Sequence, residues 1–117
     1  ELTRKVVFLR PLGLRLIEYD TVWQAVLNFK PLNYKSIPGA FVDWDNTPRK
    51  GKKGVAFKGA TPEKFKQYFA QQIQRAESIY KQDMIFLFAW NEWSEGGYLE
   101  PDDKYQYGYL EAIRDTI

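Results

Sequence analysis

At 117 residues the chain has the size of one small domain, and its 44% apolar share is ordinary for a globular protein. A net charge of +2, from 17 basic and 15 acidic residues, is too balanced to point to nucleic acid. Cys and His are both absent, which excludes disulfides, thiol chemistry, His-based triads and His metal ligands, so acid–base chemistry near neutral pH falls to carboxylates, Tyr or Lys.

The N-terminus opens with charges and has no signal-peptide pattern, and no apolar run reaches the ~18 residues of a membrane span. Lack of Cys fits a reducing compartment, and a cytoplasmic location is the expectation. The first residue is not Met, so a fragment or a processed product is expected.

Residues 5–9 form a short apolar run flanked by charge and read as a strand or buried edge. Asp20 is a plausible N-cap for a helix in which Tyr19, Val22, Trp23, Val26 and Leu27 recur at helical spacing, with Pro31 as its stop. Residues 40–44 follow a Pro38-Gly39 turn and read as a strand, and residues 50–54 read as a solvated basic loop. Thr61 caps the next helix, Pro62 takes its first position and Glu63 suits the positive end of its dipole. Phe65, Tyr68, Phe69, Ile73, Ala76 and Tyr80 give that helix one apolar face. Residues 84–90 are continuously apolar, as in a strand buried on both faces, and Trp90 at their end is expected in the core. Tyr105, Tyr109, Leu110, Ile113 and Ile117 mark a terminal helix.

This alternation predicts an α/β fold. Too few strands are present to close an eight-stranded barrel of ~250 residues. Yet polar residues follow both strand-like runs at their C-terminal ends, where parallel α/β folds place their sites. The expectation is one partial domain, residues 1–117, forming the C-terminal part of a (β/α)8 TIM-like barrel whose remainder is missing from this chain.

The densest chemistry lies after the second run. Glu92 and Glu95 are three residues apart, so a helical turn would put them on one face. Paired carboxylates can divide the roles of acid and base, and glycoside chemistry needs that division. Trp93 can stack on a sugar ring, Asn91 can bond a hydroxyl or orient a Glu, and Gly96-Gly97 serve a sharp turn. Asp43-Trp44-Asp45-Asn46 contains Asp-x-Asp, which could hold a divalent cation beside a diphosphate. Asp45 and Asn46 also suit hydroxyl binding or loop organisation. Arg49, Lys50, Lys52 and Lys53 form a basic cluster that could meet a phosphate or an acidic sugar, or simply be solvated.

Three segments in order carry a resemblance: Trp44-Asp45-Asn46-Thr47-Pro48-Arg49, then Gly59-Ala60-Thr61-Pro62-Glu63-Lys64-Phe65, then Ala89-Trp90-Asn91-Glu92-Trp93-Ser94-Glu95-Gly96-Gly97-Tyr98-Leu99-Glu100-Pro101-Asp102. Over roughly residues 35–117 the chain resembles the WbsX-type family of bacterial surface-polysaccharide proteins, labelled as glycosyltransferases and related to glycoside hydrolase family 99. The resemblance implies the C-terminal portion of a (β/α)8 barrel acting with retention on an α-mannoside-like substrate. Glu92 would deprotonate the sugar's 2-hydroxyl, giving a 1,2-anhydro sugar. Glu95 would protonate the leaving oxygen and then activate water or an acceptor. Ser94 stands where those hydrolases have His.

The expected activity is therefore cleavage or transfer of glycosidic bonds in surface-polysaccharide (O-antigen or capsule) biosynthesis. The catalytic residues would be Glu92 and Glu95, with Trp44, Asp45, Asn46, Arg49, Asn91, Trp93, Tyr98 and Glu100 binding an oligosaccharide. No metal or other cofactor is required, no nucleic acid or membrane span is expected, and the fragment alone is expected to be inactive. Two alternatives stay open: a metal-dependent nucleotide-sugar transferase using Asp43 and Asp45, and a non-catalytic glycan-binding module.

Overall fold

The computed structural model describes residues 6–9 and 14–117, and within these the chain is a mixed α/β structure with three small sheets and four α-helices. Lys5 and the rest of the charged N-terminus lie outside the described residues. The apolar run that follows is a strand, β1 (Val6–Leu9), paired antiparallel with β2 (Leu14–Glu18). The second partner of β2 is β4 (Val55–Lys58), parallel, with Leu16 opposite Ala56. A second parallel pair joins β3 (Gly39–Phe41) to β5 (Phe86–Phe88), with Ala40 opposite Leu87. The third sheet is a short hairpin, β6 (Asn91–Glu92) with β7 (Gly97–Tyr98).

Helix α1 (Tyr19–Asn28) starts two residues earlier than an Asp20 cap would give. Glu18 holds the N-cap position without a side-chain bond, so Asp20 is not the cap. Asp20 instead accepts from Lys64 Nζ at 2.6 Å and from the Tyr68 hydroxyl at 2.5 Å, which ties α1 to the helix that carries both. The helix ends at Asn28, ahead of Pro31, where Phe29 turns to an extended conformation.

Helix α3 (Pro62–Arg75) begins as its sequence signals it should: Thr61 Oγ1 accepts from Lys64 N at 3.2 Å. Phe65 and Phe69 are buried on its inner face, and Ala76 just beyond its end. Gln72 is buried among them, at 1% exposure. Its amide donates to Gly39 O at 2.7 Å while its Oε1 accepts from Arg75 Nη1 at 2.7 Å, so a polar side chain sits inside the core with its partners supplied. The helix continues into a wider turn over Ala76–Tyr80. Helix α4 (Gly108–Arg114) packs Tyr109 and Ala112 against α3.

The core lies between these helices and β3. Tyr19, Trp23 and Phe65 are fully buried, each worth roughly 2–3 kcal/mol of apolar burial. Trp23 stacks between Phe41 and Tyr68, at ring separations of 4.8 and 5.5 Å. The Tyr19 hydroxyl donates to Val42 O at 2.8 Å and fixes the strand's exit.

Four further expectations need correction. Residues 50–54 are not a plain loop: α2 (Thr47–Lys50) is followed by a tight turn over Gly51–Lys53. The predicted strand over 40–44 is shorter, because after Phe41 the backbone turns toward β4, with Phe57 N donating to Trp44 O and Asn46 N to Val55 O. The run over 84–90 is not buried on both faces. Only Phe86–Phe88 is strand, and Phe86 and Phe88 are 66% and 37% exposed because one side of this narrow sheet carries no covering helix among the described residues. Trp90, expected in the core, is 56% exposed for the same reason.

Candidate active site

The site forms where the C-terminal ends of the parallel strands β3 and β5 release their chains. Val42 N donates to Phe88 O at 3.0 Å, so the two exits leave side by side. After β5 the peptide between Phe88 and Ala89 is cis. The chain then forms the β6–β7 hairpin around a single helical turn, Trp93–Glu95. Trp90 O accepts from Leu99 N and Glu100 N at 3.0 and 3.1 Å, closing the hairpin's base and pinning Glu100 by its backbone.

Glu92 immediately precedes this turn and Glu95 ends it. Glu92 Oε1 accepts from Ser94 Oγ, within the same turn. Glu95 Oε1 accepts from Arg49 Nη2 at 2.5 Å, with the carboxylate side chain 20% exposed and the arginine 56%. Glu95 O accepts from Asp45 N at 2.8 Å. Gly96 follows in the left-handed region, φ +67°, and a Cβ there would lie 3.0 Å from Asp45 N. Glycine is what lets the two segments approach so closely.

Asp45 and Asn46 organise the backbone. Asp45 Oδ1 accepts from Thr47 N at 2.9 Å and Thr47 Oγ1 at 2.5 Å, which starts α2. Asn46, 8% exposed, accepts from Val55 N at 2.8 Å. Trp44 tilts against Phe88 at 5.8 Å. Trp93, 47% exposed, stacks on Tyr98 with ring centroids 3.7 Å apart and planes 12° from parallel. Of this aromatic pair beside the carboxylates, Trp93 is exposed and Tyr98 is half-buried. Asn91 is exposed at the start of the hairpin.

The structure thus gathers Glu92, Glu95, Arg49, Asn91, Trp93 and Tyr98 on or against one hairpin, while Asn46 is committed to the fold. It also adds groups that the leading site assignment left out. A cavity of about 180 Å³ beside Glu95's neighbour Gly96 is lined by Asp43, Asp45, Tyr98, Asp102, Lys104 and Tyr109. Burial pushes the Asp43 carboxyl up to about 6, against the opposing pull of the Trp44 N–H at its Oδ1. Tyr98 is pushed up to about 12, by burial first and then by the Asp102 carboxylate that its hydroxyl donates to at 2.9 Å. The sequence signal for Asp43 is the Asp-x-Asp pattern it forms with Asp45. Asp102 closes the third resemblance segment without a role assigned to it, and Lys104, after the hairpin, carries no signal. Among the described residues no group of three or more acidic side chains is arranged to hold a metal ion. A larger apolar groove of about 600 Å³ lies toward the start of β3, away from the carboxylates, and contains none of the candidate residues.

Comparison with known proteins gives the family of the chain. The family model described as Glycosyltransferase WbsX matches residues 2–113. The protein WxcX from two strains of Xanthomonas campestris pv. campestris, B100 and ATCC 33913, is described as uncharacterized and is 37% identical over 91 residues. That match covers 75% of this chain but 13% of either relative, so the chain spans a small part of their length. No solved structure is significantly similar to the chain. With the family model running through residues 2–113, well over half of its length, the chain belongs to the WbsX glycosyltransferase family.

Proposed function

We propose that this chain is the C-terminal portion of a (β/α)8 barrel that cleaves or transfers glycosidic bonds in bacterial surface-polysaccharide metabolism, with an oligosaccharide substrate and a cytoplasmic location. The observation that carries the proposal is the pair Glu92 and Glu95, set at either end of one turn beyond the C-terminal ends of two parallel strands. Each has a separate hydrogen-bond partner, Ser94 for Glu92 and Arg49 for Glu95. Carboxylates in different surroundings can take different proton duties.

In this reading Glu92 takes the proton of the sugar's 2-hydroxyl as that oxygen attacks the anomeric carbon. The bond to the leaving oxygen breaks, and that oxygen receives the proton of Glu95. Glu95, now a carboxylate, takes a proton from water or an acceptor hydroxyl as its oxygen opens the 1,2-anhydro ring. Glu92 returns its proton to the 2-oxygen, and both groups are restored with net retention. Trp93 and Tyr98 offer the sugar a flat apolar face, and Asn91 a hydroxyl partner.

The test is Glu95→Gln in the full-length protein. Loss of a general acid/base predicts a fall in kcat of roughly 10²–10⁴-fold. Undiminished turnover would sink the assignment. The Trp93–Tyr98 stack, with Trp93 exposed, also favours a second reading, a glycan-binding module without catalysis. That reading predicts oligosaccharide binding with no product from either the parent protein or the variant.

A further inference from the structure

The geometry points to Arg49 as the positioning residue of Glu95, an inference that rests on Glu95 being the acid/base of the proposed reaction. The two residues are 46 positions apart and lie on separate exits, α2 after β3 and the turn after β5. Glu95 is held at two points by one segment. Its backbone carbonyl accepts from Asp45 N at 2.8 Å and its Oε1 accepts from Arg49 Nη2 at 2.5 Å. Asp45 also starts the helix that carries Arg49, through Thr47. The backbone clamp sets where Glu95 stands, and the guanidinium sets where its carboxyl points.

The division of oxygens fits this role. Among the described residues only Oε1 is hydrogen-bonded, which leaves Oε2 free to exchange a proton with substrate. A planar guanidinium fixes a carboxylate's orientation better than a flexible ammonium does. Stability alone does not account for the pair. Arg49 is 56% exposed, and exposed ion pairs are worth about 0–1 kcal/mol. Orientation is the larger lever, since a misplacement of about 1 Å at a reacting group can cost about 10²-fold in rate.

The experiment measures kcat and KM separately for Arg49→Ala, Arg49→Lys and Glu95→Gln in the full-length protein, on a panel of fluorogenic α-glycosides. A positioning role predicts that Arg49→Ala lowers kcat by roughly 10–100-fold with KM within about threefold of the parent. Activity should return in part with Arg49→Lys and with added guanidinium at a non-denaturing concentration. A rise in KM with kcat unchanged would make Arg49 a substrate contact and overturn the inference. So would a loss that neither lysine nor guanidinium restores. The Glu95→Gln arm separates the two levels: if it retains turnover, the assignment of Glu95 fails, whereas an inactive Glu95→Gln beside an unaltered Arg49→Ala removes the positioning role alone.

Discussion

Gly97 shows how narrow the tolerances of this site are. A Cβ built there would fall 2.4 Å from the Phe88 ring, and 3.2 Å from Asp43 O. Neither the ring, already against Trp44, nor the strand-exit backbone can yield cheaply. Gly97→Ala is therefore expected to displace the hairpin from β5, lowering stability by roughly 1–3 kcal/mol as overpacking does. Urea unfolding of the variant beside the parent measures this, and an unchanged midpoint would show that the hairpin yields freely. Residue types at this scale were readable from the sequence: Glu92, Glu95, Trp93 and the two glycines stand out by composition. Their partners were not. Arg49 and Glu95 meet only because two strand exits run side by side, and no local pattern encodes a contact across 46 positions. Trp90 was misread because its apolar neighbours suggested burial, which depends on what covers the sheet.

The elements divide by length. Helix α3 has 14 residues, a capping Thr, a first-position Pro and a sustained apolar face, so several independent signals agree. Thr61→Ala removes the bond to Lys64 N and should cost about 1 kcal/mol, whereas Thr61→Ser should cost little. Thermal or urea unfolding distinguishes the two, and equal losses would assign the effect to the lost methyl group instead. Strands β2 and β4 give no strand signal because Arg15 and Glu18 in the first and Lys58 in the second interrupt the apolar run that marks β3 and β5. Gln72 is the informative exception within α3. A polar residue on the buried face looks like an error in the pattern until its bonds to Gly39 O and Arg75 explain it.

At the scale of the whole molecule, stability should respond to pH through two carboxylates with opposite signs. Burial raises Asp43 from 3.8 to about 6, so across that window the folded chain holds the proton that the unfolded chain releases. Its contribution therefore declines as pH rises through the window. The negative charge of Asp45 adds to the shift and Lys104 opposes it. Asp20 moves the other way. It is lowered by its bond to Lys64 first and Tyr68 second, so its contribution is present above 3.8 and is lost as pH falls through its lower folded value. Asp43→Asn should remove the first effect and leave the second. The parent is expected to lose roughly 1–2 kcal/mol that the variant keeps, allowing for solvent screening of a half-buried group. Unfolding free energies measured across the window check this, and parallel curves for the two proteins would refute it.

The double use of Asp45 has a consequence for length. Its N–H holds Glu95, and its carboxylate starts the helix that brings Arg49 to the same residue. The stretch from Asp43 to Arg49 and the stretch from Trp90 to Tyr98 act as two rulers read against each other. One inserted residue in either would rotate its side chains out of register with the other, while substitutions could leave the spacing intact. The connection between α1 and β3 carries none of these bonds and is free to vary in size. Across related chains, the two rulers should align without gaps even where their letters differ.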